Sequence, residues 1–363
     1  MLACAGKVTS RGTGVGRRVA SVCTATLALA LTATLAVDAW GDCRPRYRLR
    51  PVVARTMGPC EFDPDRLSFA GVPAQQAACL MRPVARLAKL GPVLTDLPQV
   101  LADRVGSAFD LPARHVLSGY LSKRDLETDF AAHLWQPVSR ANADDPAAPP
   151  ARYLVIHDTS GPFLGARPWP DDLDTGGRLN NLAGHRCEDG WESAHVIINR
   201  AGAMLLGHEL AVPWRATKFE RALNFNGRLK GLFLHAEMIQ PRRREWGEWR
   251  LVRFRRHGHH RTRRSRRSLI VAPLPGFTQA QYDRLALVYT IASVRAGAWL
   301  IPAFHAVIDN ALPNGHDDPQ NFDLAAFAGS LERLLDDLHG RGQPRAALET
   351  KGAAVASDLN FVH

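Results

Sequence analysis

Short apolar runs broken by polar turns govern the chain from residue 153 onward. YLVIH (153–157) is a compact apolar run that ends on His157 and meets the turn sequence DTSGP, which predicts a buried strand. AHVIINR (194–200) alternates, Ala201-Gly202 supplies a tight turn and AMLLG returns, which predicts a hairpin. GLFLHAEMI (231–239) predicts a further strand. After an arginine-rich stretch, Thr278 stands as the cap of a long amphipathic helix, QAQYDRLALVYTIASVRAG. IPAFHAVI (301–308) reads as the next strand, and DLAAFAGSLERLLDDL (323–338) as a closing helix. Strands followed by long helices, with a hairpin among them, predict an α/β fold: a mixed central β-sheet flanked by helices.

The earlier part reads differently. Residues 40–150 predict a mostly helical N-terminal segment, with helices over 74–90, within 91–106 and over 121–135. Cys60 and Cys79 flank its first helix and can be stapled, and ADDPAAPPAR, ending at Arg152, reads as a Pro/Ala linker. Ahead of it, Arg17 and Arg18 precede an uncharged run of 18 residues, 20–37, so residues 1–39 read as a signal peptide or an anchor. The expected organisation is therefore residues 1–39, a helical segment at 40–150, a domain at 151–340 with an arginine-rich insertion at 242–268, and a tail at 341–363. An exported protein is implied, in the periplasm or cell envelope or secreted, with anchoring through residues 20–37 as the alternative to cleavage. The six cysteines contain no CxxC, which argues against a cysteine-only zinc ribbon. Four remain beyond residue 39, an even number that suits an oxidising compartment.

Charge narrows the picture further. The chain of 363 residues is 46% hydrophobic, enough for a sizeable core, and carries a net charge of +11. Twelve arginines against Glu245 and Glu248 fall between Arg242 and Arg267, and most of the rest of the chain is close to neutral. This is one basic stretch on a near-neutral globule, not a uniformly basic nucleic-acid binder. It reads either as an arm for an anionic envelope surface, wall polymer or phospholipid headgroup, or as a solvated insertion. No nucleic acid is expected, because aromatic interleaving is limited to Trp246, Trp249 and Phe254. The sequence assigns no oligomeric state.

The chemistry gathers at the ends of the apolar runs. His157 closes one, His305 lies in another, and Asp318 follows in the polar knot His316-Asp317-Asp318-Pro319. Two imidazoles and a carboxylate, with a fourth position left for water, are the ligand set of a catalytic zinc site; the plain alternative is a hydrated loop beside satisfied histidines. Glu237, on the LHAEM strand, is the candidate base, and His316, two residues before Asp318, is placed to stabilise a developing oxyanion. His185 and Cys187 sit in a glycine-flanked loop and read as loop structure or a disulfide through Cys187, and His257, His259 and His260 as part of the basic surface tract.

The order YLVIHDTS, AHVIINRAG, LHAEM, FTQAQYDRLA and FHAVID…HDDPQNFD resembles the zinc-dependent N-acetylmuramoyl-L-alanine amidases of type 2, over roughly residues 153–338. Those amidases share a fold with peptidoglycan recognition proteins and phage lysozyme-type amidases. The resemblance implies Zn2+ held by His157, His305 and Asp318, with Asp317 as the neighbouring substitute for the third ligand. It implies Glu237 as general base, and His316 where many members have a lysine. Some members carry a tyrosine before the hairpin histidine, and here that position is Ala194. His195 is read as a substrate-contacting wall of the site, or as a group behind the ligands, and not as a ligand. The implied reaction is hydrolysis of the amide between N-acetylmuramic acid and L-alanine in peptidoglycan or muropeptides. A non-catalytic peptidoglycan-binding protein on the same fold is the rival expectation.

Overall fold

The computed structural model describes residues 60–85, 89–124, 126, 133–142, 145–185, 194–256, 259–313 and 315–342. The expectations for residues 1–39, for the tail beyond 342, and for Cys187 and His257 fall outside them. Among the described residues no helix is long and apolar enough to cross a membrane.

Two short ladders and three short helices open the described chain: β1 (Phe62–Asp63) with β2 (Ser68–Phe69), α1 (Pro73–Leu80), β3 (Val84–Ala85) with β4 (Lys89–Leu90), α2 (Gln99–Ala102) and α3 (Arg114–Ser122). These helices are shorter than the periodicity predicts. α1 ends at Leu80 and not at residue 90, because Pro83 cannot donate to a continuing helix and restricts Arg82 before it. α3 ends at Ser122, and residues 125 and 127–132 of the helix expected over 121–135 lie outside the described residues. Cys60 and Cys79 form a disulfide, with Cα atoms 5.8 Å apart.

The main sheet contains β5 (Tyr153–Asp158), β6 (Val196–Ile198), β7 (Met204–Leu206), β8 (Phe233–Met238) and β11 (Ile301–Phe304), in the order β11-β5-β8-β6-β7. β11, β5, β8 and β6 run parallel, and β7 returns antiparallel as the hairpin edge. β5 and β8 are central and covered on both faces, which is why they read as near-continuous apolar runs. α4 (Gln279–Ala296) packs on the sheet and on α6 (Leu324–Gly342). Thr278 caps α4 as expected: its hydroxyl accepts from Gln281 N–H at 3.1 Å, and Gln281 Oε1 accepts from Thr278 N–H at 3.2 Å. Gly297 ends α4 in the left-handed conformation (φ 78°), which costs glycine nothing. The mixed sheet flanked by helices is thus the architecture the alternation of runs implies.

One hydrophobic core runs from Cys60 to Leu338, across the Pro/Ala stretch read as a linker. The Tyr153 hydroxyl, at the start of β5, accepts from Phe69 N–H (3.0 Å) and donates to Gln76 Oε1 (2.8 Å). Trp299, just before β11, donates its indole N–H to Phe109 O at 2.9 Å. Leu80, Leu101, Leu117 and Leu121 are fully buried in that core. Each adds about 1.5–3 kcal/mol that the sheet domain alone would forgo.

Between β8 and α4 the arginine-rich stretch forms a two-stranded ribbon, β9 (Arg243–Arg256) with β10 (His259–Val271), paired antiparallel with each other and, among the described residues, with no other strand. The apolar run at 301–308 divides in two. The strand stops at Phe304, and His305–Ile308 forms a short helix, α5, so His305 opens a helix and does not end a strand.

Candidate metal centre

The register of the sheet brings the histidines together. Phe304 pairs with Ile156, so the next residues of two adjacent parallel strands, His305 and His157, emerge side by side at their C-terminal ends. Their Nδ1 atoms are 2.9 Å apart. The carboxyl ends of parallel strands are where open α/β sheets gather ligands.

Asp318 is delivered by a loop fixed from several sides. Ala306 N–H, an orphan donor of the first turn of α5, donates to Asp318 O at 2.7 Å. Asp158 N–H donates to Asp318 Oδ2 at 3.1 Å, and Gln320 N–H donates to Asp158 Oδ2 at 3.1 Å. Gln240 Nε2 donates to Gln320 O at 2.8 Å. Asp318 Oδ2 then lies 3.1 Å from His305 Nδ1 and 3.9 Å from His157 Nδ1. Asp317 turns elsewhere and accepts from Gln320 Nε2 at 2.8 Å, so Asp318 is the carboxylate of the cluster.

His157, His305 and Asp318 are all buried, and their donor atoms converge within 4.8 Å, so they can hold a metal ion. Two nitrogens and one oxygen suit a borderline divalent ion with an open position. The outer partners fit as well, since each imidazole offers Nδ1 to the centre and has its other nitrogen engaged behind. His157 Nε2 meets His235 Nδ1 at 3.1 Å, and His305 Nε2 meets Asp309 Oδ2 at 3.1 Å.

Protonation is divided unequally between the two imidazoles. Burial, together with the surrounding histidines, holds His157 well below the ordinary histidine range, so it stays neutral and ready to ligate. Burial alone would lower His305 too, but Asp318 and Asp309 on its two nitrogens overcome it and raise it to about 10. Burial works to raise Asp309 and Asp318, and His305 overrides it and holds both below the usual carboxylate range. Without an ion, a charged His305 joins the two carboxylates; a metal must displace its Nδ1 proton.

Glu237 pairs in register with His157 across β5 and β8, which sets both side chains on one face of the sheet on neighbouring strands, about 4.8 Å apart. It is half-buried. His316 is exposed on the solvent side of His305, with ring centroids 3.9 Å apart, and its Nδ1 is 2.7 Å from Asp309 Oδ2. With Nδ1–H given to Asp309, neutral His316 presents a lone pair at Nε2, and only its cationic form presents an N–H there. His305, Asp309 and His316 also form a second convergent set that shares His305. Asp309 is fully buried in it, and Phe219 N–H donates to its Oδ1 at 3.0 Å.

His195 corrects the substrate-contact expectation and matches the alternative of a group behind the ligands. It is fully buried, its Nδ1 accepts from His235 N–H at 3.1 Å and its Nε2 donates to Val212 O at 3.1 Å. With both nitrogens committed it cannot contact substrate; it braces the strand that carries His235 and Glu237. His185 ends a short 3₁₀ turn (Leu182–His185) and joins neither ligand set.

Three residues of the site escape the sequence reading: His235, Glu220 and Asp309. His235 Nε2 lies 3.3 Å from Glu220 Oε2, close but without hydrogen-bond alignment, and both side chains are fully buried. Glu220 is held by Thr217, whose N–H and hydroxyl donate to Oε2 at 3.0 and 2.9 Å. His235 carried a signal, because strand alternation in LHAEM sets it on the face of Glu237. Asp309 carried one only if His305 opens a helix, where i and i+4 meet. Glu220 carried none. Comparisons with family models, with curated proteins and with solved structures give no match to this chain.

Proposed function

We propose that this chain is a zinc-dependent hydrolase that cleaves the amide between the lactyl group of N-acetylmuramic acid and the L-alanine of the peptidoglycan stem peptide. The observation that carries the reading is the buried His157–His305–Asp318 set with Glu237 in register beside it. The order of motifs carrying these residues supplies the substrate class. Bound zinc would supply Lewis acidity, activating water and polarising the scissile carbonyl.

The chain's own residues do the rest. Glu237 takes a proton from the attacking water and returns it to the leaving amine. His316, held by Asp309, donates from Nε2 to the developing oxyanion when it carries both protons. Asp309 and His235 fix the rings of His305 and His157. The disulfide Cys60–Cys79 fits an exported protein.

Mass spectrometry of purified peptidoglycan incubated with the protein, with and without a chelator, tests this. Free stem peptides that begin at L-alanine, formed only without chelator, are expected. Unchanged wall that sediments with the protein would replace hydrolysis by recognition.

A further inference from the structure

The β9–β10 ribbon does not belong to the metal centre, and its residues are arranged in an ordered way. Residues 249–282 contain nine arginines and no acidic residue. At 13 or 14 residues per strand the ribbon reaches roughly 40–45 Å. Its register keeps like charges apart: Arg261 stands opposite Phe254, Arg263 opposite Val252, Arg264 opposite Leu251 and Arg266 opposite Trp249. Both faces of the ribbon therefore interleave arginine with aromatic or aliphatic positions, which cross-strand charge avoidance alone does not require.

The root of the ribbon carries the same mixture in the open. Arg244 pairs with Ile270 and Trp246 with Ser268, and these four exposed residues share one ribbon face. Trp246 is 53% exposed and Ile270 39%. Arg244 lies between the rings of Phe163 and Trp246, at 5.7 and 5.9 Å from their centroids. Phe163 is 48% exposed, and Leu274, three residues beyond the ribbon, is 85% exposed.

We infer that this ribbon is a docking arm for an anionic phospholipid surface. Guanidinium groups pair bidentately with phosphate. Tryptophan settles at headgroup depth, and Ile270 and Leu274 gain by entering the acyl boundary beneath it. A solvated polyanion, whether nucleic acid or wall polymer, would satisfy the arginines and leave those apolar groups in water. This inference does not depend on the proposed reaction.

Co-sedimentation of the full chain with phosphatidylcholine vesicles, with and without phosphatidylglycerol, tests it at low and high salt. Binding should require phosphatidylglycerol and should retain a salt-resistant fraction. Replacing Arg261, Arg263, Arg264 and Arg266 together by serine should weaken binding at least tenfold. The double substitution Trp246→Ser, Leu274→Ser should remove the salt-resistant fraction and leave the low-salt binding. Unchanged metal content and melting temperature show that each variant is folded. No dependence on phosphatidylglycerol would overturn the inference. So would binding to heparin or duplex DNA at least as tight as to vesicles, abolished by salt and indifferent to Trp246 and Leu274.

Discussion

The candidate metal centre and the ribbon both concentrate basic side chains, and they handle them in opposite ways. In the centre, four imidazoles (His157, His195, His235 and His305) are buried, and each nitrogen faces a named partner or the ligand cluster. In the ribbon, residues 249–271 hold nine arginines and no carboxylate, Glu245 and Glu248 lying nearer its root. Burial explains the difference. A charge inside a protein is tolerated only with a partner at contact distance, so the centre is wired to Asp309, Asp318 and Glu220. At a protein surface water does that work, and charge stays available for something outside. The centre is built to fix geometry and the ribbon to present charge.

Removing a ligand breaks the first region most severely. Asp318→Asn should lower metal affinity more than about 100-fold, beyond the 10–100-fold seen for outer partners. Metal analysis after dialysis checks this, and vesicle binding through the ribbon should be unchanged. Glu237→Gln should separate chemistry from binding: zinc content stays and kcat falls by about 10²–10⁴. A loss of zinc in that variant would make Glu237 a structural group and not a base.

Asp309→Asn tests the wiring itself. Asparagine keeps an acceptor for His305 Nε2 but loses the charge, so metal affinity should fall about tenfold, measured against a competing chelator. It also sets an amide N–H₂ toward one of the backbone donors of Lys218 and Phe219, which should cost about 1–3 kcal/mol of stability.

The helix that places Asp309 shows where the sequence stops being legible. The apolar runs that carry His157 and His305, the Asp318 loop and the capped helix α4 are all readable, because period and turn residues encode them locally. HAVI is apolar throughout, and a short apolar run does not distinguish strand from helix. Reading it as strand hides the i,i+4 contact from His305 to Asp309. Glu220 meets His235 only through the fold, and no spacing announces it. The N-terminal helices are over-read for a different reason: Pro83, Pro92 and Pro98 cut a periodic pattern that continues past them. The ribbon has no apolar period at all, and its strands come from pairing with each other.

The proton on His305 gives a smaller, graded test. In the ion-free centre its folded value is raised to about 10, whereas His157 stays neutral. Below pH 10 a metal must therefore displace about one proton, and acid competes with the ion. Affinity should rise about tenfold per pH unit between pH 7 and 9. Calorimetry in two buffers of different ionisation enthalpy should count about one proton released per ion bound. Release of none would mean that His305 is already neutral and that the two carboxylates do not hold it charged.

The smallest effect belongs to the ribbon. The four-arginine serine variant should shift unfolding free energy by no more than about 0.5 kcal/mol per site, the ordinary scale for surface positions. Opposing effects operate here. Serine relieves repulsion among the arginines, which favours the fold, and shortens the side chain at positions paired with apolar ones, which opposes it. Metal affinity should stay level, because the groups bonded to the side chains of His157, His305 and Asp318 are His235, Asp309 and the backbone of Asp158. Thermal melts at low and high salt separate the two terms: if repulsion dominates, the native chain gains stability from salt and the variant gains less. A large loss of stability would mean that the ribbon packs as part of the core, and the contrast between a wired interior and a presenting arm would fail.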